Sequence, residues 1–446
     1  AAADVYKRQA IDCPSLKIMY HTFGCKLNFA ETASVAEQFA ARGHIRVADG
    51  GIPDIIVINS CSVTAEADRK CRSTIRSLNR RYPAAAVVVT GCYAQLKPEE
   101  VAAQPGVKAV VGVNDKLDIP RIAEEAWLSG SMPPQFPEAK DLREFMPSCS
   151  RGDRTRFFLK VQDGCDYWCT YCTIPKARGR SRSGSIDDIL AQASAAAAAG
   201  GREIVITGVN IGDFGHGRSD NFYDLCRALD EVDGIERYRI SSIEPNLLTD
   251  EIIDFVAGSK RFMPHFHIPL QCGSDVVLAL MRRRYDTALF AHKVERIRRT
   301  MPDAFIGVDL IVGARGETPQ RFEESKAFVE SLDISHLHVF PYSERPGTRA
   351  LDLADPVDQA EKHRRAEQML AVSAAKHRDF AGRFIGTVRP VLVEHSHAGQ
   401  PLGGFTDNYL RIRADIDPSF DNRVINMKLL RLLDDGETIE AKPVEP

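Results

Sequence analysis

Residues 157–172 read Phe157-Phe158-Leu159-Lys160-Val161-Gln162-Asp163-Gly164-Cys165-Asp166-Tyr167-Trp168-Cys169-Thr170-Tyr171-Cys172. A short apolar run, strand-like over Phe157–Gln162, passes directly into three cysteines at spacings of four and three residues. Three thiolates so spaced can wrap one iron–sulfur cubane, because such clusters prefer soft sulfur ligands. They would hold three irons of a [4Fe–4S] cluster and leave the fourth open, as a catalytic metal needs. A structural zinc site and a core thiol cluster are the alternatives at this point. Trp168 and Tyr171 read as packing around the loop.

Downstream, strand-length apolar runs recur at Glu203–Thr207, Tyr238–Ser242, His265–Leu270, Ala304–Leu310 and His336–Pro341, each separated from the next by a helix-like stretch. Together with the first run they make six strand–helix units in series. That series predicts a central partial (β/α)6 barrel with its working residues at the strand C-terminal ends. A long helical stretch over 356–382 then leads to short alternating runs from about 385, which predict a small C-terminal antiparallel β-barrel.

Upstream, the runs Lys17–Phe23, Asp54–Asn59, Ala86–Thr90 and Ala109–Val111 alternate with helical segments. Repeated βαβ units of this kind predict an α/β domain on a parallel sheet. Pro133, Pro134, Pro137 and Pro147 break up a polar stretch that reads as a linker. The expected division is therefore 15–130, a linker 131–150, 151–384 and 385–446.

Cys25, Cys61 and Cys92 each follow one N-terminal strand, 36 and 31 residues apart, about one βαβ unit. Parallel strands end at a common edge, the crevice that open α/β sheets use for ligands, so these three thiols are expected to converge. Buried core cysteines are the alternative reading. Cys13, Cys71, Cys149, Cys226 and Cys272 read as non-ligands.

The chain has 446 residues, with Lys+Arg 58 against Asp+Glu 61 and a net charge of −3. Near-neutrality excludes a global nucleic-acid footprint, so RNA contact would have to come from local patches. Arg69, Arg72, Arg76 and Arg80 recur at helical spacing, opposite the apolar stripe Cys71, Ile75, Leu78 and Tyr82. Residues 69–81 hold six basic and no acidic side chains, and 151–184 and 281–300 are also basic-rich. Eleven cysteines, an odd number scattered over a long chain, suit metal chemistry in a reducing cytoplasm. No run of 18 apolar residues suggests a membrane span, and Ala1–Gln9 lack the apolar core of a signal peptide.

The cysteine loop, with Ile174-Pro175-Lys176-Ala177-Arg178-Gly179 after it, resembles the radical S-adenosylmethionine methylthiotransferases. So do Phe23-Gly24-Cys25-Lys26-Leu27-Asn28, Ile58-Asn59-Ser60-Cys61-Ser62-Val63 and Thr90-Gly91-Cys92-Tyr93-Ala94-Gln95. The resemblance runs from residue 17 to about 446. It implies two [4Fe–4S] clusters. Cys165, Cys169 and Cys172 hold the catalytic one, whose open iron binds S-adenosylmethionine and yields a 5′-deoxyadenosyl radical. Cys25, Cys61 and Cys92 hold an auxiliary one that carries the sulfur to be transferred. Thr207, Gly208, Asn210, Ser241, Glu244, Ile311 and Gly313, in three further stretches similar to the family, are implied to line the cofactor pocket. Residue 272 is a cysteine where the family usually has a serine.

The C-terminal barrel is similar to a TRAM domain, a small RNA-binding fold, yet 385–446 carry seven basic and ten acidic residues. The implied partners are the tRNA anticodon stem-loop and an electron donor such as flavodoxin. Gly24-Cys25-Lys26-Leu27-Asn28 and Thr207-Gly208-Val209-Asn210-Ile211-Gly212 resemble the branch acting on N6-threonylcarbamoyladenosine at position 37. Lys26 and Arg315 are its candidate partners for the substrate carboxylate. Action on isopentenyladenosine or on a ribosomal-protein aspartate is the alternative within the chemistry. A non-catalytic iron–sulfur carrier or RNA-binding scaffold is the alternative outside it.

Overall fold

The computed structural model describes residues 14–113, 116, 118–132, 142, 144–151, 155–394 and 402–444. Cys13 and the prolines 133, 134 and 137, on which the expected linker rests, lie outside the described residues. The chain forms two compact units. One runs to Ser150 and takes in Gly164–Asp166 and Thr173–Arg182; the other comprises Arg151–Asp163, Tyr167–Cys172 and the chain from Ser183 onward.

In the first unit, strands β1 (Lys17–Thr22), β2 (Ile45–Arg46), β3 (Ile55–Ser60), β4 (Ala86–Gly91) and β5 (Val107–Val110) form one parallel sheet in the order β2-β1-β3-β4-β5. Every residue of β3 and β4 is buried, as expected for strands covered on both faces. Alternation divides them between two cores. Ile55 and Val57 pack with Val35, Phe39 and Ile122, while Ile56 and Ile58 pack with Cys71, Ile75 and Leu78. Cys71 is thereby a core residue. The helices that matter for the site are α1 (Lys26–Ala41), α2 (Ala65–Arg81) and α3 (Cys92–Leu96). Thr64 caps α2 by accepting from the Ala67 amide at 3.1 Å.

In the second unit the six expected strands are all present, at Arg156–Lys160, Glu203–Thr207, Arg237–Ile240, His265–Gln271, Phe305–Val312 and His336–Pro341. The first three pair in parallel, as do the last three. One isolated parallel bridge, Ser242 to His267, joins the two sets, with the Ile243 amide donating to the His267 carbonyl at 3.0 Å. The long helix is Gln359–Gly382; it starts later than expected because Asp358 caps it through the Glu361 amide. After it comes a closed five-stranded barrel. Four of its strand pairs are antiparallel, in keeping with the expected antiparallel barrel, and Arg411–Ala414 lies parallel to Thr438–Pro443, which closes the ring. No helix among the described residues is long and apolar enough to cross a membrane.

This small barrel is held to the six-stranded sheets by buried arginines. Glu203 is fully buried and receives Arg239 through two guanidinium nitrogens at 2.7 and 3.2 Å. Arg239 also donates to the carbonyls of Thr406 and Asp407, both at 2.8 Å, and Arg237 to those of Phe405 and Pro390. Burial pushes the Glu203 carboxyl up, but Arg239 outweighs it and holds the group below its ordinary range. Its contribution is therefore complete above the unfolded carboxylate pKa and is lost only as pH falls through the depressed folded value. Glu203→Gln leaves two buried guanidiniums without their carboxylate and is expected to destabilise the unit by about 3–5 kcal/mol in urea unfolding at pH 7. Glu203→Met with Arg239→Met should cost less than Glu203→Gln alone.

Two candidate cysteine centres

The first centre lies at the C-terminal edge of the parallel sheet. Cys25 is the residue before α1, Cys61 follows β3 directly, and Cys92 opens α3 after β4. All three are free cysteines; Cys61 and Cys92 are buried and Cys25 is exposed. Gly24, at φ +92°, makes their approach possible, since a Cβ there would stand 2.6 Å from Cys61 Cβ and 2.7 Å from its Sγ. Gly91, at φ +98°, likewise passes against the Ser60 backbone where no side chain fits. The edge is stitched by side chains. Asn28 Nδ2 donates to the carbonyls of Phe23 at 2.8 Å and Ser60 at 3.1 Å, and Ser60 Oγ donates to the Thr90 carbonyl.

Burial pushes the Cys61 thiol up to about 11, with the neighbouring Cys92 and Cys25 adding to the rise. Although the Cys25 residue is open to solvent, the protein packed around its thiol also raises it, against the pull of Arg178. That guanidinium is itself buried and donates from Nε to Cys92 Sγ at 3.3 Å. Among the described residues no group of three His, Cys, Asp or Glu converges as a single ion requires. A cubane presents its irons at separate corners and so does not require its thiolates to meet at one point.

The second centre follows the first barrel strand. Cys165, which is counted with the first unit, and Cys169 and Cys172 of the second are free, with Cys169 buried. The loop turns tightly, the Cys172 amide donating to the Cys169 carbonyl at 3.1 Å, and Trp168 adopts φ +52° with its indole half exposed. Gln162 Oε1 accepts from the amides of Val209 at 3.0 Å and Asn210 at 2.7 Å, fixing the turn after the second strand. Thr207, Asn210 and Ser241 are buried at adjacent strand ends. Neither the oxygen nor the nitrogen of the Asn210 amide has a hydrogen-bond partner among the described residues. An orphaned buried amide at a strand end is suited to a polar ligand such as S-adenosylmethionine. Glu244, raised by burial against the pull of Arg283, is paired with Arg283, and Arg283 Nη1 donates to Cys169 Sγ at 3.2 Å.

The remaining expected residues lie elsewhere in the two units. Ile311 and Gly313 stand at the end of the fifth strand, where Ile311 and Tyr171 pack on the same apolar cluster. Arg315 gives its guanidinium to Glu344 at 2.8 Å and to the carbonyls of Leu351 and Leu353. Lys26 is the first residue of α1, next to Cys25. Cys272 is fully buried, and burial with the nearby Glu317 pushes its thiol up to about 12. Arg69, Arg72, Arg76 and Arg80 line one groove of about 590 Å³ with Ser73, Asn79 and Pro105. Arg72 is partly committed there, to Tyr93 at 2.8 Å and Glu100 at 2.7 Å. Sequence reasoning missed Arg178, Arg283 and Glu31. Two of them lie in stretches already singled out, but nothing local marks a basic residue as buried on sulfur.

Residues 17–112 match the profile described as "Uncharacterized protein family UPF0004", and residues 159–329 match "Radical SAM superfamily". The chain is 36% identical to the threonylcarbamoyladenosine tRNA methylthiotransferase MtaB of Bacillus subtilis (strain 168), over 93% of this chain and 94% of that protein. It is 35% identical to the Thermotoga maritima protein of the same name, over 88% and 90%. It is 32% identical to the tRNA-2-methylthio-N(6)-dimethylallyladenosine synthase of Syntrophotalea carbinolica, over 92% and 95%. Among solved structures, the radical S-adenosylmethionine methyltransferase TsrM from Kitasatospora setae is alike in fold, with a TM-score of 0.56 at 14% identity over 76% of this chain and 77% of that one.

Gly24→Ala should displace Cys61 and lower the iron and sulfide retained after anaerobic loading, with the circular dichroism unchanged. Gly43→Ala, at φ +87° with nothing within 4 Å of the added carbon, controls for backbone strain and should load as the parent does.

Proposed function

Because the chain belongs to the radical S-adenosylmethionine tRNA methylthiotransferase family, we propose that it methylthiolates C2 of N6-threonylcarbamoyladenosine at position 37 of tRNA. The observation that carries the reading is the pair of three-cysteine centres, each at the C-terminal edge of parallel strands. Cys165, Cys169 and Cys172 would hold one [4Fe–4S] cluster, and Cys25, Cys61 and Cys92 the other. When bound, the clusters and S-adenosylmethionine supply the radical and the sulfur, chemistry that no protein side chain offers at an aromatic C–H. Thr207, Gly208, Asn210, Ser241, Glu244, Ile311 and Gly313 would orient the cofactor, with the Asn210 amide and the Glu244 carboxylate as its polar anchors. A reducing cytoplasm fits so many free thiols, and a cluster that must be reduced calls for an electron donor such as flavodoxin.

The substituent on the adenosine decides between the two tRNA branches. A threonylcarbamoyl group brings a carboxylate, a hydroxyl and a urea, whereas an isopentenyl group is wholly apolar. A site supplying donors and positive charge for the first leaves them unpaired around the second. Of the two expected cations, Lys26 lies beside Cys25 at the start of α1, and Arg315 serves Glu344 and two carbonyls. Anaerobically loaded protein should methylthiolate threonylcarbamoylated tRNA at least tenfold faster than isopentenylated tRNA, by nucleoside mass spectrometry in parallel assays. Equal or faster turnover of the isopentenylated tRNA would overturn the assignment.

The arginine groove on α2 is the proposed seat for the RNA backbone, because four arginines line it and, although Arg69 pairs with Glu66 and Arg72 with Glu100, Arg76 and Arg80 add positive charge suited to phosphates. Arg76 and Arg80 are exposed there. Arg76→Gln with Arg80→Gln should weaken tRNA binding and reduce the slope of log K against log salt by about one for each phosphate no longer neutralised. An unchanged slope would assign the groove to solvent.

A further inference from the structure

Each centre has a buried arginine on one of its sulfurs. In the first unit Arg178, 1% exposed, donates from Nε to Cys92 Sγ at 3.3 Å. The rest of its guanidinium is held by Glu31 at 3.0 and 3.2 Å and by Asn28 Oδ1 at 2.6 Å. Glu31 is fully buried and also pairs with Lys116. In the second unit Arg283, its side chain 3% exposed, donates from Nη1 to Cys169 Sγ at 3.2 Å. Its Nη2 pairs with Glu244, and its Nε donates to the Tyr285 hydroxyl at 3.0 Å. The Tyr285 hydroxyl in turn donates to the Pro269 carbonyl at 2.5 Å, so this guanidinium too is fixed from behind.

The arrangement is the same in both places: a sulfur, a guanidinium on it, and a carboxylate holding the guanidinium. A buried cation with each of its three nitrogens engaged has little freedom to turn away, so the N–H to S contact is built in. Charge-assisted donors to a thiolate sulfur stabilise the more negative state of whatever that sulfur ligates. For an iron–sulfur cluster that state is the reduced one, and hydrogen bonds to the sulfurs are among the determinants of its potential.

We propose that Arg178 and Arg283 are matched positioning residues, each orienting one cysteine sulfur and raising the reduction potential of the cluster that sulfur would hold. The proposal rests on the two-cluster reading above. Its test uses full-length protein loaded anaerobically with iron and sulfide. The variants Cys165→Ala/Cys169→Ala/Cys172→Ala and Cys25→Ala/Cys61→Ala/Cys92→Ala first assign one paramagnetic signal to each centre. If neither variant retains a cluster, the two-cluster reading falls and the inference with it. Arg178→Lys and Arg283→Lys, which keep the charge but lose the planar fork, are then titrated electrochemically with electron paramagnetic resonance detection. Arg178→Lys should shift the midpoint of the Cys25/Cys61/Cys92 centre to more negative values and leave the other in place; Arg283→Lys should do the reverse. Loss of iron confined to the substituted arginine's own centre also supports the proposal. Unchanged midpoints and signal shapes at full iron content overturn it, as does either substitution disturbing both centres alike.

Discussion

In a parallel sheet every strand delivers its last residue to the same edge, and the pairing register decides whether that edge is level. Here Thr22 lies opposite Asn59, Asn59 opposite Thr90 and Ser60 opposite Gly91, so three chain segments leave the sheet side by side. Each carries a cysteine within three residues of its strand. The register in turn depends on β3 and β4 being apolar throughout, because a slip of one residue would exchange the two cores they separate. Such closeness leaves no room for a side chain at Gly24 or Gly91. The six-stranded part applies the same rule, with Gln162, Thr207 and Ser241 brought to neighbouring strand ends.

A carboxylate holds the guanidinium at each cysteine centre and beneath the small barrel. Glu31 holds Arg178, Glu244 holds Arg283 and Glu203 holds Arg239. Burying such ions costs more than their attraction returns unless nearly every donor finds an acceptor. These pairs meet that condition through added amide, carbonyl and hydroxyl partners. What they gain over apolar packing is direction, since a fork of fixed N–H vectors aims at one sulfur or one carbonyl and not at its neighbours.

Charge is distributed locally and not globally. The chain is nearly neutral, yet the four arginines of α2 line a groove, and their helix keeps its apolar stripe turned to the sheet. The C-terminal barrel, with its acidic excess, is where Arg237 and Arg239 insert, so arginines of the preceding strands serve its attachment and are withdrawn from solvent.

Strand type, strand order of appearance and the cysteines at strand ends were legible from the chain alone, because period and spacing are local properties. The six barrel runs and the four N-terminal ones appear as strands, with ends displaced by at most two residues. The sequence also implied that Cys25, Cys61 and Cys92 share an edge, since consecutive parallel strands end on the same side of their sheet. Tertiary structure alone decided which charges are buried. Arg178 meets Glu31 across 147 residues and Arg283 meets Cys169 across 114, and no local pattern distinguishes them from the solvated arginines nearby. It likewise decided that Arg315 ties down a loop, that Asn210 finds no partner for its amide among the described residues, and that the last strand of the barrel closes in parallel. Each of these depends on which surfaces meet once the cores have formed, and distance in space is not written in distance along the chain.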